Sequence, residues 1–456
     1  LWTAAALAMA AALAPALKTR WRQLTVFGVL AFLPSASASY TLRVYRDNIF
    51  PALCLLFFAG LTGYALRAAG RLNKSLPWLL LAGVGLAAAW LLPFWLAGGL
   101  VLAVLLLRRM GLKNLNAWAR VAALALPGLV LVGSLQAMAA KNEREYGVRV
   151  VSDFSSGSFA QAIGAMVRVK ESEPVPLVSV PAEVRELLYE NVEALRPLRH
   201  WLEEDPQMRN DFVNPAVGDY QSGSFYWAIR RAAQYEGVYD TAQKAQAYWA
   251  GVAEEINRLC DEGVLPSEGG VRSGTTPPVR AENVLPTLAE TAKSLYWCAT
   301  FQDCAPYRTD ITIGTAEDVA VWEAYLHTGA NLAAQAGTAN AYYNPVQKAA
   351  YGLLTLLRRG YAVCLPLALL AALWVFVRRG LALLHGGRGL ALLQGGGGAL
   401  LWWLELGFLG MALFRAAMMA FMEVASFHIG TYVMYLATVH PLLALFAAAV
   451  LLAAAA

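Results

Sequence analysis

Charge is what this sequence has least of. Asp, Glu, Lys and Arg make up 15% of its 456 residues, where a soluble globular chain carries about 25%. Hydrophobic residues make up 58% and the mean hydropathy is +0.47. The shortage of charge is concentrated at the two ends, which excludes a uniformly soluble protein. Neither CxxC nor HExxH occurs and the five histidines are scattered, so no metal site is expected. No GxSxG nucleophile elbow occurs, which removes the serine-hydrolase reading. No basic run is interleaved with aromatics, which removes nucleic acid as a partner. The glycines at 386, 387, 389 and 395–398 lack the flanking strand and the helix with Lys or Ser/Thr that a phosphate loop needs. They read as a flexible cytoplasmic loop, and no cofactor is expected.

What the chain has instead is long apolar runs. A spanning helix needs about 20 such residues. This places helices near 1–17, 24–39, 49–66, 77–92, 93–107 and 117–138, then near 360–377, 398–421 and 431–452, with Pro93 separating a hairpin of two short ones. The expected fold is mainly α: a polytopic membrane protein of about nine transmembrane helices with an inserted extracytoplasmic helical domain. Its blocks are 1–138, a polar domain over 139–347, and 348–456. The opening run lacks the basic leader of a signal peptide and reads as a membrane helix. Beginning at Leu1 and stopping inside an apolar run, the sequence reads as cut from a longer protein.

Lys and Arg favour the cytoplasmic side. Setting Lys18/Arg20/Arg22, Arg67/Arg71/Lys74, Arg108/Arg109/Lys113 and Arg378/Arg379/Arg388 inside puts the polar domain outside. Arg43 and Arg46 then fall on the outer side, as do Arg358 and Arg359, read as the end of an interfacial amphipathic helix over 346–359.

Within the polar domain, Ala245, Trp249, Val252, Ile256 and Leu259 recur at helical spacing. They predict a helix over 241–261, capped by Asp240 or Thr241 and ended by Gly263. Further helices are expected over 183–204, broken near Pro197, over 283–300, and over 316–327, opened by Thr315 and Asp318. A short strand is expected over 146–152. Cys298 and Cys304 enclose a short loop and would form a disulfide in an oxidising compartment; three free thiols with Cys260 are the alternative.

The polar domain also carries an internal echo. Asp153-Phe154-Ser155-Ser156-Gly157-Ser158-Phe159 and Asp219-Tyr220-Gln221-Ser222-Gly223-Ser224-Phe225 share one pattern, each followed by two residues and Ala-Ile. Ser158 or Ser224 would cap a following helix, and such an N-terminus suits a phosphate or another anion. Ser156, Ser158, Ser222 and Ser224 are therefore candidate head-group contacts, beside the plainer reading of a repeated capping solution. The outer turn Arg43-Val44-Tyr45-Arg46-Asp47-Asn48 offers two phosphate-binding guanidinium groups and an acid; interfacial anchoring is its plainer reading. Glu405 and Arg415 are costly inside a bilayer and each calls for a partner on another helix. Glu423 and His428 form a candidate proton-handling pair near the outer surface, a structural ion pair being the alternative.

Arg46-Asp47 before a span, the stretch Ala420-Phe421-Met422-Glu423-Val424-Ala425-Ser426-Phe427, and Tyr435-Leu436 with His440-Pro441 give the chain a layout that resembles bacterial inner-membrane proteins with many spans and a large outer domain. It is similar in this to the lipid-linked-sugar glycosyltransferases of the GT-C type. The resemblance implies an envelope enzyme acting on a polyprenyl-phosphate-linked sugar: Arg43 and Arg46 hold the phosphate, Asp47 serves as acid or base, and Glu423 and His428 support the site. Two other readings stand beside it. One is a non-enzymatic membrane-anchored module for binding lipids or envelope proteins. The other is a transporter, for which no internal repeat is evident.

Overall fold

A computed structural model describes residues 1–38, 46–67, 72–89, 117–170, 175–267, 269, 279–306, 315–326, 345–385, 397–428 and 433–455. These residues are mainly helical. The strands among them are Val213–Asn214 and Asp219–Tyr220, an antiparallel pair with Val213 opposite Tyr220; the short strand expected over 146–152 is not formed. Among the described residues five helices are long and apolar enough to cross a membrane: Ile49–Arg67, Ala122–Tyr146, Lys348–Leu383, Ala399–Ala425 and Met434–Ala454. They mark the chain as a membrane protein.

Of the expected spans, 93–107 lies outside the described residues, and Trp2–Leu17 and Ser75–Ala88 are apolar but shorter. The run 24–39 is not a span: helix Arg20–Ala31 stops, and Pro34 opens a tight helical turn through Ser37. The expected interfacial helix over 346–359 and the span after it are one helix, Pro345–His385. Gly360 alone does not interrupt a run of strong helix formers.

The described residues form two compact units: Leu1–Val130, Lys293–Ala416 and Thr431–Ala456; and Leu131–Ala292 with Ala417–Gly430. In the first, Pro15 has no N–H to give the carbonyl of Ala11 one turn back. The guanidinium of Arg67 donates to Ala11 O at 2.7 Å and to Ala12 O at 2.9 Å, so a residue on another helix repairs the break. Helices Arg46–Arg67 and Leu72–Ala89 cross backbone to backbone at two glycines. A Cβ on Gly60 would lie 2.4 Å from the amide nitrogen of Ala82, and one on Gly85 2.7 Å from that of Phe57. Such small-residue crossings let helices in lipid gain close packing. Glu405, fully buried, pairs with Arg379 through both carboxylate oxygens at 3.0 and 3.1 Å. The Phe376 and Trp402 rings stack 4.7 Å apart next to it. Arg415 donates to the carbonyl of Tyr435 at 3.0 Å. Each of these two costly residues thus finds its partner on another helix, as expected.

The expected Cys298–Cys304 disulfide is not present: both are buried free thiols. The loop beyond helix Val284–Ala299 turns Phe301 and Cys304 inward. There Phe301 stacks on His440 at 5.2 Å and the Cys304 sulfur faces His440 Nε2 at 3.5 Å.

The second unit is built around Trp249. Ala245, Trp249, Val252, Ile256 and Leu259 are all buried on one face of helix Ala242–Asp261, whose start is capped by the Thr241 hydroxyl accepting from Lys244 N–H at 3.1 Å. That face packs on helix Ser158–Arg168, with Phe159 edge-on to Trp249 at 5.1 Å. The expected helix over 183–204 breaks at Val192 rather than Pro197. Ala182–Asn191 ends there, and Pro197 sits in the first turn of Arg196–Arg199, where its missing N–H costs nothing. Thr315 and Asp318 form the reciprocal cap expected for Ala316–Leu326.

Removing Arg379 strands the fully buried Glu405 carboxylate, whereas removing Glu405 leaves a guanidinium that is 24% exposed. Arg379→Ala is expected to destabilise the chain by about 3–5 kcal/mol and Glu405→Ala by less, read as a lower unfolding temperature in detergent. The double variant Arg379→Met/Glu405→Leu is expected to regain most of that loss.

Candidate functional site

Both copies of the Asp-aromatic-x-Ser-Gly-Ser-Phe pattern open a helix of the second unit. Gly157 precedes Ser158–Arg168 and Gln221 precedes Ser222–Tyr235, and neither start is capped by its own serine side chain. This corrects the expected Ser158 or Ser224 cap. The pattern acts through its aspartate and phenylalanine. Asp153 accepts from Arg230 at 2.6 Å, Gln246 at 2.7 Å and the Tyr239 hydroxyl at 3.2 Å, while the Arg230 guanidinium lies 5.0 Å from the Phe159 ring centre. Asp219 accepts from Arg185 at 2.8 Å and from the Ala182 N–H at 3.1 Å, while Arg185 lies 5.0 Å from the Tyr220 ring and 5.9 Å from Phe225. Each copy sets a carboxylate against an arginine resting on the pattern's phenylalanine. The aromatic face covers the cation and the acid neutralises it.

Arg185, 2% exposed, also forks onto Glu203 at 2.7 and 3.1 Å. Burial works against its charge, but Glu203 and Asp219 outweigh burial and hold the guanidinium above its ordinary range. Burial and the Glu203 carboxylate push the Tyr220 hydroxyl up to about 12 and Tyr189 further still. Burial raises Tyr239 and Tyr248 in the same way, helped by Asp153 and Glu236. A cleft of 570 Å³ beside Tyr189 is lined by Glu186, Glu190, Arg196 and Arg199. Its arginines are engaged, Arg199 by Glu186 and Glu204 and Arg196 by backbone carbonyls, so it offers an anion little.

The four serines differ in what they leave open. Ser156 is exposed and donates to the Ser152 carbonyl at 2.9 Å. The Ser158 N–H donates to Gln246 Oε1 at 2.9 Å, so protein closes the start of the first helix. Ser222 is fully buried: its N–H donates to the carbonyls of Leu177 at 2.9 Å and Ser426 at 3.1 Å. Its hydroxyl donates to Leu177 O at 2.9 Å and accepts from Ser179 at 2.5 Å. Ser224 is half-buried.

The segment after helix Gly397–Ala425 folds onto this second start. Phe427 lies so close over Gly223 that a Cβ there would meet its ring at 2.2 Å. One turn back, Glu423 Oε1 and His428 Nδ1 are 3.2 Å apart, the acid 15% exposed and the imidazole 58%. This corner follows directly on Ala399–Ala425, one of the helices long and apolar enough to cross a membrane. The structure therefore brings Glu423, His428, Ser222 and Ser224 to one corner of the second unit, and Ser156 and Ser158 to the first helix start. Arg43 lies outside the described residues, as do the side chains of Arg46 and Asp47, whose backbone opens helix Arg46–Arg67. Among the described residues no group of three or more His, Cys, Asp or Glu is placed to hold a metal. Gln221, Gln246, Ser426 and Phe427 were not expected at either start; they come from distant or unpatterned positions, and no local spacing marks them.

Comparison with models of known families, with curated proteins and with solved structures finds no match to this chain.

Two outcomes follow from this geometry. Tyr189, Tyr220, Tyr239 and Tyr248 keep their protons more tightly folded than unfolded. Their contribution is therefore full below about pH 10, the unfolded value, and is lost as pH rises toward the folded values. Unfolding temperature against pH should fall from about pH 10, alongside a delayed tyrosinate absorbance. Gly223→Ala should force Phe427 off the helix start at a cost of about 1–3 kcal/mol. Faster proteolysis after residue 425 would report it.

Proposed function

We propose that the chain is an integral membrane protein of the bacterial cell envelope whose second unit lies on the extracytoplasmic side and takes the phosphorylated head group of a lipid-linked polar substrate. A polyprenyl-phosphate-linked sugar is the class. The observation behind this reading is the corner where Ser222–Tyr235, Phe427, Glu423 and His428 meet, three residues or fewer from the end of a membrane-length helix. A lipid head group reaches that level without leaving the bilayer. In this reading Glu423 and His428 are a proton-handling pair, and Arg43, Arg46 and Asp47 supply the phosphate contacts and an acid.

A second reading, a binding module without chemistry, draws support from the acids of the second unit. Asp153, Asp219 and Glu203 are all engaged in structural pairs, which leaves none of the three free for catalysis. Lipid-linked glycan transfer by membranes carrying the chain separates the two. Under the first reading Glu423→Gln lowers transfer at least about tenfold while native mass spectrometry still finds a retained polyprenyl-phosphate lipid. Under the second, the lipid is retained and no transfer occurs in either form. Retention of bulk phospholipid alone would sink both.

A further inference from the structure

We propose that the start of helix Ser222–Tyr235 is an oxyanion site, built from the Gly223 and Ser224 N–H groups, the Ser224 hydroxyl, the Gln221 side-chain amide and the Ser426 hydroxyl. It rests on the reading above and names the atoms that take the phosphoryl oxygens. Four observations carry it.

A helix start leaves its first N–H groups without intrahelical partners. Here Ser222 N–H is taken by Leu177 and Ser426 carbonyls, and Phe225 N–H by Gln221 O at 2.8 Å. Gly223 and Ser224 N–H meet no acceptor among the described residues. The helix is 14 residues long, enough for its dipole to favour negative charge there.

Two side chains at the same place are buried without partners. Gln221, the residue that precedes the helix, is 5% exposed and its Nε2 bonds to nothing described. Ser426 is fully buried, is held to this helix start by the 3.1 Å bond from Ser222 N–H, and its Oγ is likewise unpartnered. Leaving such groups unpaired costs about 1–3 kcal/mol each. Gln221 Nε2 and the two N–H groups are donors, and the hydroxyls can donate, so the missing group is an acceptor. An oxyanion has the several lone pairs that this many donors require.

The other copy of the pattern shows the contrast. There Gln246 from a neighbouring helix fills the acceptor role at Ser158 N–H; among the described residues the second start has no such partner. Of the nearby acids, Asp219 is neutralised by Arg185, and Glu423 lies 3.2 Å from His428, which offsets its charge when the imidazole is protonated. Phe427 roofs Gly223 and keeps bulk water from one side, while half-buried Ser224 marks the side by which a phosphate enters.

The test is a titration of the full chain in detergent with inorganic phosphate, following unfolding temperature, with chloride at matched ionic strength as control. A bound ligand raises that temperature in proportion to the logarithm of its concentration. Gln221→Leu and Ser426→Ala each remove an unpaired buried group. They are expected to weaken phosphate at least about tenfold while unfolding, without phosphate, no lower than the native chain. That combination is one a purely structural role would not produce. A response to free phosphate identifies the site as one for the free oxyanion. No response in detergent, but protection in phosphatidylglycerol vesicles that Gln221→Leu abolishes, identifies a lipid head group as the source. Equal responses of native and variant chains, or none in either setting, overturn the assignment. Because no sugar lipid is present, this result stands or falls separately from retention of a polyprenyl-phosphate lipid.

Discussion

A polar group removed from water has to find its partner inside the fold, and both units are arranged under that constraint. In lipid, or in a packed core, an unpaired carbonyl, carboxylate or guanidinium costs more than most single contacts return. Arg67 reaches across to the carbonyl that Pro15 leaves open. Glu405 is met by Arg379. Arg185 is enclosed by Glu203 and Asp219 and covered by Tyr220. These pairs fix which helices are neighbours, because each has one geometry in which both partners are satisfied.

Against that background the start of helix Ser222–Tyr235 stands apart. Elsewhere in the second unit the buried charged groups are matched closely, even to a glutamine that bridges Asp153 and the Ser158 amide, and the Thr287 hydroxyl is the other buried side-chain group left unpaired among its described residues. At Gln221 and Ser426 the matching stops. Gln221 Nε2 and Ser426 Oγ are buried without partners beside a helix start whose Gly223 and Ser224 N–H groups meet no described acceptor, which is the arrangement an acceptor would complete. The location, at the end of a membrane-length helix, narrows what that acceptor is attached to.

The two kinds of span differ in what surrounds them. Within Ile49–Arg67 and Met434–Ala454, 78% and 83% of the apolar window is buried, whereas only 17% is in Lys348–Leu383. The first two are therefore interior helices that pack through small residues such as alanine, and the last leaves Val363, Leu367 and Leu370 exposed. Hydropathy rates all three alike, since lipid and protein interior are equally apolar.

The sequence by itself determined the membrane character, from apolar length, and the Trp249 helix, from period and caps, because both are set by residues within a few turns of one another. It also determined that Glu405 and Arg415 need partners, since the cost of a charge in lipid does not depend on where the partner lies. Only the tertiary structure decided who the partners are. Arg379 looks like one more cytoplasmic charge until the hairpin places it on Glu405. The Ser-Gly-Ser echo reads as two equal serine caps until Gln246 closes one start and Ser426 with Phe427 meets the other. That difference comes from residues 88 positions away in one case and from the far end of the chain in the other. No local spacing encodes such contacts; they exist only once the helices have packed.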